Sequence, residues 1–455
     1  MVKQSSMSFV CSSCGYDSTK WYGKCPECGE WNTMKEFSVP QGAKKSFSKA
    51  AAQQISEPTK LSNVKISQSS RISTGFSEFD RVLGSEASAG IVPGSVILLS
   101  GDPGVGKSTV LLQVALFLSS HGKKVLYVTG EESEAQVTLR AKRLSKDAAF
   151  KNADLYILAT PHIDAALAHA SKESYDLVII DSIQTMEGES IPGYAGSIPQ
   201  VRHATGRLVS FAKGTNIPVI LIGHVTKEGM VAGPMMLSHM VDTVLYLEGE
   251  KMTGVRILRS FKNRFGDTSE VGIFGMEEYG LREITNLSDL FLGEQTPNPG
   301  SSVAVIMEGS RPLLVEIQAL VIRSKLPYPR RVANGISEKR VELLLAILQK
   351  HAHLPLDTYD VFVNVVGGFK ISEPASDLAV CMSILSSFNG KNSEKTAAVA
   401  EVGLLGELKK VMSLDKRVKE AQKFGLKTVT FESAKTLSEL IQKQYPQRKN
   451  SAKPQ

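Results

Sequence analysis

The nonapeptide GDPGVGKST, residues Gly101 to Thr109, constrains this chain more than any other stretch. It fits G-x-x-x-x-G-K-[ST] and lies between an apolar run, SVILLS (95–100), and a helical pattern, STVLLQVALFLSSHG, that closes on Gly122. Glycines at Gly101, Gly104 and Gly106, with Asp102, Pro103 and Val105 between them, let the backbone wrap a phosphate so that successive N–H groups point inward, and the helix end adds positive potential. Lys107 is then expected to reach the β- and γ-phosphates of ATP, Ser108 to ligate Mg²⁺, and Thr109 to open the helix beside it. The competing reading is an accidental glycine-rich turn, which the strand-to-helix context argues against.

Further apolar runs follow: KVLYVTG (124–130), DLVIID (176–181), IPVILIG (217–223) and TVLYLEG (243–249). Fully apolar strands alternating with helical patterns predict a parallel α/β sheet covered on both faces. Ligands of such sheets bind at the carboxyl ends of the strands, so residues there are the candidates for chemistry. Asp181 ends LVIID and suits a carboxylate that holds Mg²⁺ through water. Glu131 follows VTG and is the favoured activator of the attacking water, with Glu132 the alternative. His224, after VILIG, is a candidate γ-phosphate sensor, although a lone histidine is more often structural.

Cys11-Ser-Ser-Cys14 and Cys25-Pro-Glu-Cys28 form two C-x-x-C pairs separated by ten residues, each followed by glycine. Four thiolates so spaced fit a tetrahedral Zn²⁺ site, and a segment too small for its own core favours metal-coupled folding over redox chemistry. Trp21, Tyr22 and Trp31 are expected to fill that small core, with base stacking the alternative. Cys381 lies in the apolar run LAVCMSIL and is expected in a core.

At 455 residues the chain calls for two or three domains. With 42% hydrophobic and 22% charged residues it is neither disordered nor fibrous. No apolar run approaches the roughly eighteen residues of a membrane span, and the start MVKQSSMSFVCSS lacks a secretory pattern, which predicts a cytoplasmic chain with no membrane partner. The net charge of +7 is concentrated at the ends: residues 1–70 hold nine Lys against five acidic residues, and 438–455 hold four basic against one acidic. The expected divisions are a zinc knuckle (1–37), a polar linker (38–70), the nucleotide domain (71–285) and an α+β domain (286–455). The last contains SVAVIMEGSRPLLVEIQALV, read as a strand pair, and SEKRVELLLAILQKHA, read as an amphipathic helix capped by Ser337.

The C-x-x-C pairs, GDPGVGKST, LVIID and the pentapeptide Lys262-Asn-Arg-Phe-Gly266, taken in this order, resemble the bacterial RadA (Sms) family over nearly the whole chain. The resemblance implies a RecA-like P-loop ATPase core and a hexameric ring of the DnaB helicase type. It also implies ATP-driven branch migration on single-stranded and branched DNA, working with RecA in recombination and repair. Lys262 and Arg264 would then stabilise the γ-phosphate bound by a neighbouring subunit; read without the family, they are a basic turn. The segments 184–200 and 226–236 correspond to DNA-facing loops of RecA-like proteins, and Arg202, Arg207, Lys213 and Lys227 are the candidate phosphate contacts.

The C-terminal part is similar to the proteolytic domain of Lon proteases, whose chemistry needs a serine activated by a lysine. Here Ala375 stands at the serine position and Arg417 at the lysine position, with Ser376 and Lys416 one residue away. A one-residue shift turns a helical side chain by about 100°, and arginine stays protonated. A non-proteolytic domain is therefore expected. Two other functions compete with a DNA-acting motor: an ATP-dependent protease and a nucleotide-gated signalling ATPase.

Overall fold

The computed structural model describes residues 7–11, 17–18, 20–27, 29–38, 60, 71–84, 89–145, 153–191, 193–224, 234–249, 254–284, 298–368, 370–391 and 396–444. The chain divides into two compact units. The first comprises residues 1–248, 258–268 and 277–281, and the second 249–257, 269–276 and 282–455.

The first unit begins with a small antiparallel sheet, β1 (Met7–Cys11), β2 (Asp17–Ser18) and β3 (Met34–Ser38), in the order β2-β1-β3. Its main body is built on parallel strands β4 (Val96–Gly101), β5 (Val125–Thr129), β6 (Leu155–Ala159), β7 (Leu177–Asp181), β8 (Val219–Ile222) and β9 (Thr243–Gly249), ordered β9-β4-β8-β7-β5-β6. The predicted runs all appear as strands.

Side chains alternate across a strand, so each strand feeds two cores. Val96, Leu98, Leu126, Val128, Val178, Ile180, Val219 and Leu221 share one face with helices spanning Ile163–Lys172 and Ile198–Thr215. The intervening Ile97, Leu99, Tyr127, Ile179 and Ile220 are equally buried, and the helix Lys107–Ser120 packs on β4, β5 and β6. With cover on both sides, every residue of β4, β5, β7 and β8 is buried, whereas edge strand β6 is only partly so. The helix from Lys107 ends at Ser120, and Gly122 just beyond adopts φ +74°, the left-handed stop that its sequence predicts.

In the second unit, strands β10 (Ser301–Glu308), β11 (Arg311–Arg323), β12 (Arg331–Asn334), β13 (Tyr359–Val365), β14 (Thr396–Val399) and β15 (Lys427–Thr430) form a mixed sheet ordered β12-β13-β11-β10-β14-β15. The strand pair expected over 302–321 is the β10–β11 hairpin, turning at Gly309 with φ +59°, where an added Cβ would lie 2.0 Å from the Ser269 carbonyl. Helices Glu338–Ala352 and Asp377–Asn389 supply Leu344, Leu348, Leu378 and Ile384 to one core, which includes Cys381 as expected. The helix Leu414–Lys423 closes a second core against Val305, Leu314 and Val399. Ser337 stands at the N-cap position of its helix but its hydroxyl makes no capping bond.

Candidate functional site

The phosphate loop leaves the carboxyl end of β4, next to the centre of the sheet. Gly101, Gly104 and Gly106 have φ of +147°, +76° and +113°. At Gly101 the requirement is also steric, since a Cβ would stand 2.2 Å from the Leu247 carbonyl on β9. Asp102, Pro103 and Gly104 are exposed while Val105 plugs the loop into the core; Ser108 and Thr109 are half-buried in the first helical turn. Lys107 is buried, and its ammonium donates to the carbonyls of Gly101 at 2.8 Å and Asp102 at 3.0 Å. Burial pushes its pKa down, against the opposing pull of Asp181, Asp102 and Glu131.

The adjacent strand ends bring the other candidates to this loop. Asp181 pairs in register with Thr129, and the Gly130 N–H donates to the Asp181 carbonyl at 3.0 Å. Glu131 accepts a hydrogen bond from the Ser182 hydroxyl at 2.7 Å, and His224 Nε2 lies 3.7 Å from the same carboxylate. Burial and Lys107 lower the His224 pKa, against the opposing pull of Glu131 and Asp181. Glu132 turns elsewhere, into an ion pair with Arg140 at 2.8 Å. The two adjacent acids are thus separated: Glu131 belongs to the Lys107–Asp181–His224 group and Glu132 to a helix.

A buried cation on a left-handed glycine loop, with a hydroxyl at Ser108 and carboxylates opposite, fits the donor set of a magnesium–nucleotide complex. Four neighbours of this set escaped the sequence reading. They are Ser182, Gln184, whose amide donates to the His224 carbonyl at 3.3 Å, and the pair Tyr127 and Arg140 behind Asp181. Buried hydroxyls and a helix-borne guanidinium carry no motif, so only the fold could reveal them.

Lys262 and Arg264 lie at the opposite edge of the sheet. Lys262 Nζ donates to the Ser238 and Val241 carbonyls, at 2.5 and 2.8 Å, and Arg264 pairs with Asp242 at 3.3 Å. Asp242 precedes β9 and accepts the Val96 N–H at 3.0 Å, at the amino end of β4. The length of β4 alone, about 16 Å at ~3.3 Å per residue, separates this corner from the phosphate loop. Lys213 shares Asp242, at 2.6 Å, so it occupies the amino edge too. Arg207 pairs with Asp164 at 2.8 Å, and Arg202 is exposed in the first turns of the same helix. The sequence treated these cations as one set; an eighteen-residue helix spreads them along its length. Lys227 lies outside the described residues.

Of the four cysteines, Cys11 and Cys25 are buried together with Met34, and Phe9 packs on them; Cys14 and Cys28 lie outside the described residues. Trp21 and Trp31 are 57% and 69% exposed, with Tyr22 38%, so the aromatic residues do not form this core as expected. The thiols and Met34 occupy the interior of a sheet too small to offer the indoles an opposing layer.

In the second unit, Ala375 is buried in a 3₁₀ turn, and Arg417, 2% exposed, grips Glu373 with two bonds of 2.8 and 2.7 Å. Glu373 also accepts the Met307 N–H at 2.7 Å. The Ser376 hydroxyl donates to the Glu373 carbonyl at 3.1 Å, while Lys416 is exposed. Of the two adjacent residues, Ser376 is thus buried and Lys416 lies at the surface.

The parallel sheet, the glycine loop and the acids at its carboxyl edge define a P-loop ATPase with a RecA-like core, followed by an α+β domain. Comparison with known proteins agrees: residues 86–230 match the AAA domain family and residues 9–36 a rubredoxin metal binding domain. The chain is 45% identical over 431 residues to DNA repair protein RadA of Bacillus subtilis (strain 168), covering 94% of this chain and 92% of that protein. It is 45% identical over 419 residues to DNA repair protein RadA of Campylobacter jejuni, covering 91% and 92%. The chain belongs to the RadA family. Among solved structures, the RadB recombinase is similar over 47% of this chain and 99% of its own, with a TM-score of 0.36 and 21% identity.

Proposed function

We propose that this protein is a DNA-dependent ATPase, a ring motor that processes recombination intermediates by branch migration during RecA-mediated strand exchange and double-strand break repair. The observation that carries the reading is the convergence of Lys107, Asp181, Glu131 and His224 at one sheet edge in a chain so similar to DNA repair proteins. Lys107 and Ser108 bind the phosphates and Mg²⁺, with Asp181 behind them; the ion, when bound, neutralises charge on the phosphate oxygens. Glu131, oriented by Ser182, directs water at the γ-phosphate. Lys262 and Arg264 serve a neighbouring subunit's nucleotide, a reading supported by their place at the edge remote from their own phosphate loop. Arg202, Arg207, Lys213 and Lys227 contact DNA phosphates, and Cys11, Cys14, Cys25 and Cys28 hold Zn²⁺. The Lon-like C-terminal domain acts as a scaffold without protease activity, a reading supported by the Arg417–Glu373 pair.

The test is ATP turnover with and without single-stranded DNA, beside branch migration on a RecA-made joint molecule. Turnover should rise with DNA, and Lys107→Ala should abolish both activities. An ATPase rate indifferent to DNA would favour the signalling alternative, and peptide release from casein with ATP would favour the protease.

A further inference from the structure

Asp181 does not stand alone at the end of β7. Tyr127, on the neighbouring strand and 0% exposed, donates its phenolic proton to Asp181 Oδ2 at 2.5 Å. Arg140, from the helix Glu134–Leu144, reaches the same corner: its Nη2 lies 3.4 Å from the phenol oxygen and 3.8 Å from Asp181 Oδ2. The guanidinium also holds Glu132 at 2.8 Å, and the Glu132 N–H donates to Thr129 Oγ1 at 3.0 Å. One cation therefore links the metal-side carboxylate to the loop that carries Glu131. A tyrosine needed only for packing could be phenylalanine, and a buried hydroxyl could have met its acceptor in a backbone carbonyl. Here the acceptor is the acid that the chemistry requires.

We infer that Tyr127 and Arg140 are positioning residues for nucleotide use: Tyr127 fixes Asp181 through Oδ2, leaving Oδ1 for the metal side, and Arg140 ties that acid to the Glu131 loop. The inference rests on the ATPase reading above and deepens it. Partners of this kind, one layer behind a metal-side group, typically carry 10- to 100-fold effects on metal affinity or activity, roughly the scale expected here. Tyr127 is wholly buried and acts through Asp181, to which it donates. Arg140 acts on two acids at once, so its loss should affect turnover more than metal binding.

The experiment measures binding of a fluorescent, slowly hydrolysed ATP analogue to the full chain, titrated with Mg²⁺ and repeated in EDTA. Tyr127→Phe should raise the Mg²⁺ concentration at half-saturation about tenfold, leave binding in EDTA unchanged and keep the thermal transition near that of the parent. Arg140→Gln should lower kcat about tenfold with little change in KM, and Arg140→Lys should recover part of it. An unchanged Mg²⁺ midpoint in Tyr127→Phe, or an equal loss of binding in Mg²⁺ and EDTA, overturns the inference, the latter indicating a packing role. A parent protein that binds the analogue equally with Mg²⁺ and EDTA would instead overturn the metal-side role of Asp181 itself.

Discussion

Glu131 and Glu132 carry the same side chain and meet opposite surroundings. Ser133 and Gln136 form a reciprocal capping box that fixes where the next helix starts. That start places Arg140 two turns on, within reach of Glu132, and leaves Glu131 to Ser182 and His224. Glu131→Gln should lower kcat by about a hundredfold or more while nucleotide affinity stays near that of the parent, whereas Glu132→Gln should act more mildly through Arg140. Steady-state turnover beside equilibrium nucleotide binding checks both; loss of affinity with kcat intact would remove Glu131 from the role. In the sequence both acids follow an apolar strand and Glu131 is only the favoured of the two, because side-chain direction after a strand depends on the turn and helix that come next.

At the scale of elements, the most informative is the short path from Glu373 to the helix Leu414–Lys423. Arg417 bonds both Glu373 oxygens and the carbonyls of Met412 and Val305, with its side chain 3% exposed. Removing one partner of a buried pair leaves a charge without compensation, so Arg417→Ala should cost about 3–5 kcal/mol, less any share relieved by the partly exposed Glu373. A lowered thermal transition of the second unit would report it. Ala375→Ser should release no peptide from casein, since Arg417, which stands at the expected lysine position, cannot accept a proton; ATP-dependent release would contradict this. The substitutions at the two expected positions were legible in the sequence, but their conversion into a salt-bridged strut was not. Strand β6 is a different case: Leu155–Ala159 escaped notice because an edge strand, buried only in part, loses the continuous apolar signal of its neighbours.

At the scale of the whole molecule, the phosphate loop and Arg264 occupy opposite edges of one sheet, so the proposed function has Arg264 serve the loop of a neighbouring subunit. Lys107→Ala and Arg264→Ala subunits should each be inactive alone, and mixing them should restore ATP turnover wherever an intact loop meets an intact Arg264. Mixtures as inactive as their components would refute the shared site. No helix among the described residues is long and apolar enough to cross a membrane. The excess positive charge lies at the chain ends, so the proposed DNA contact along the middle would depend on individual cations, of which Arg207 and Lys213 have acidic partners.

The sequence by itself determined the phosphate loop, the parallel strands and the spacing of the cysteines, because these depend on backbone conformation, side-chain period and ligand count within short stretches. Tertiary structure decided which acid faces Lys107, which layer stands behind Asp181, that the indoles lie outside the cysteine core, and that Lys213 and Arg264 share Asp242 at the far edge. Those outcomes depend on residues up to 146 positions apart, as Val96 and Asp242 are. Their contact is set by strand order and register, which no local pattern contains.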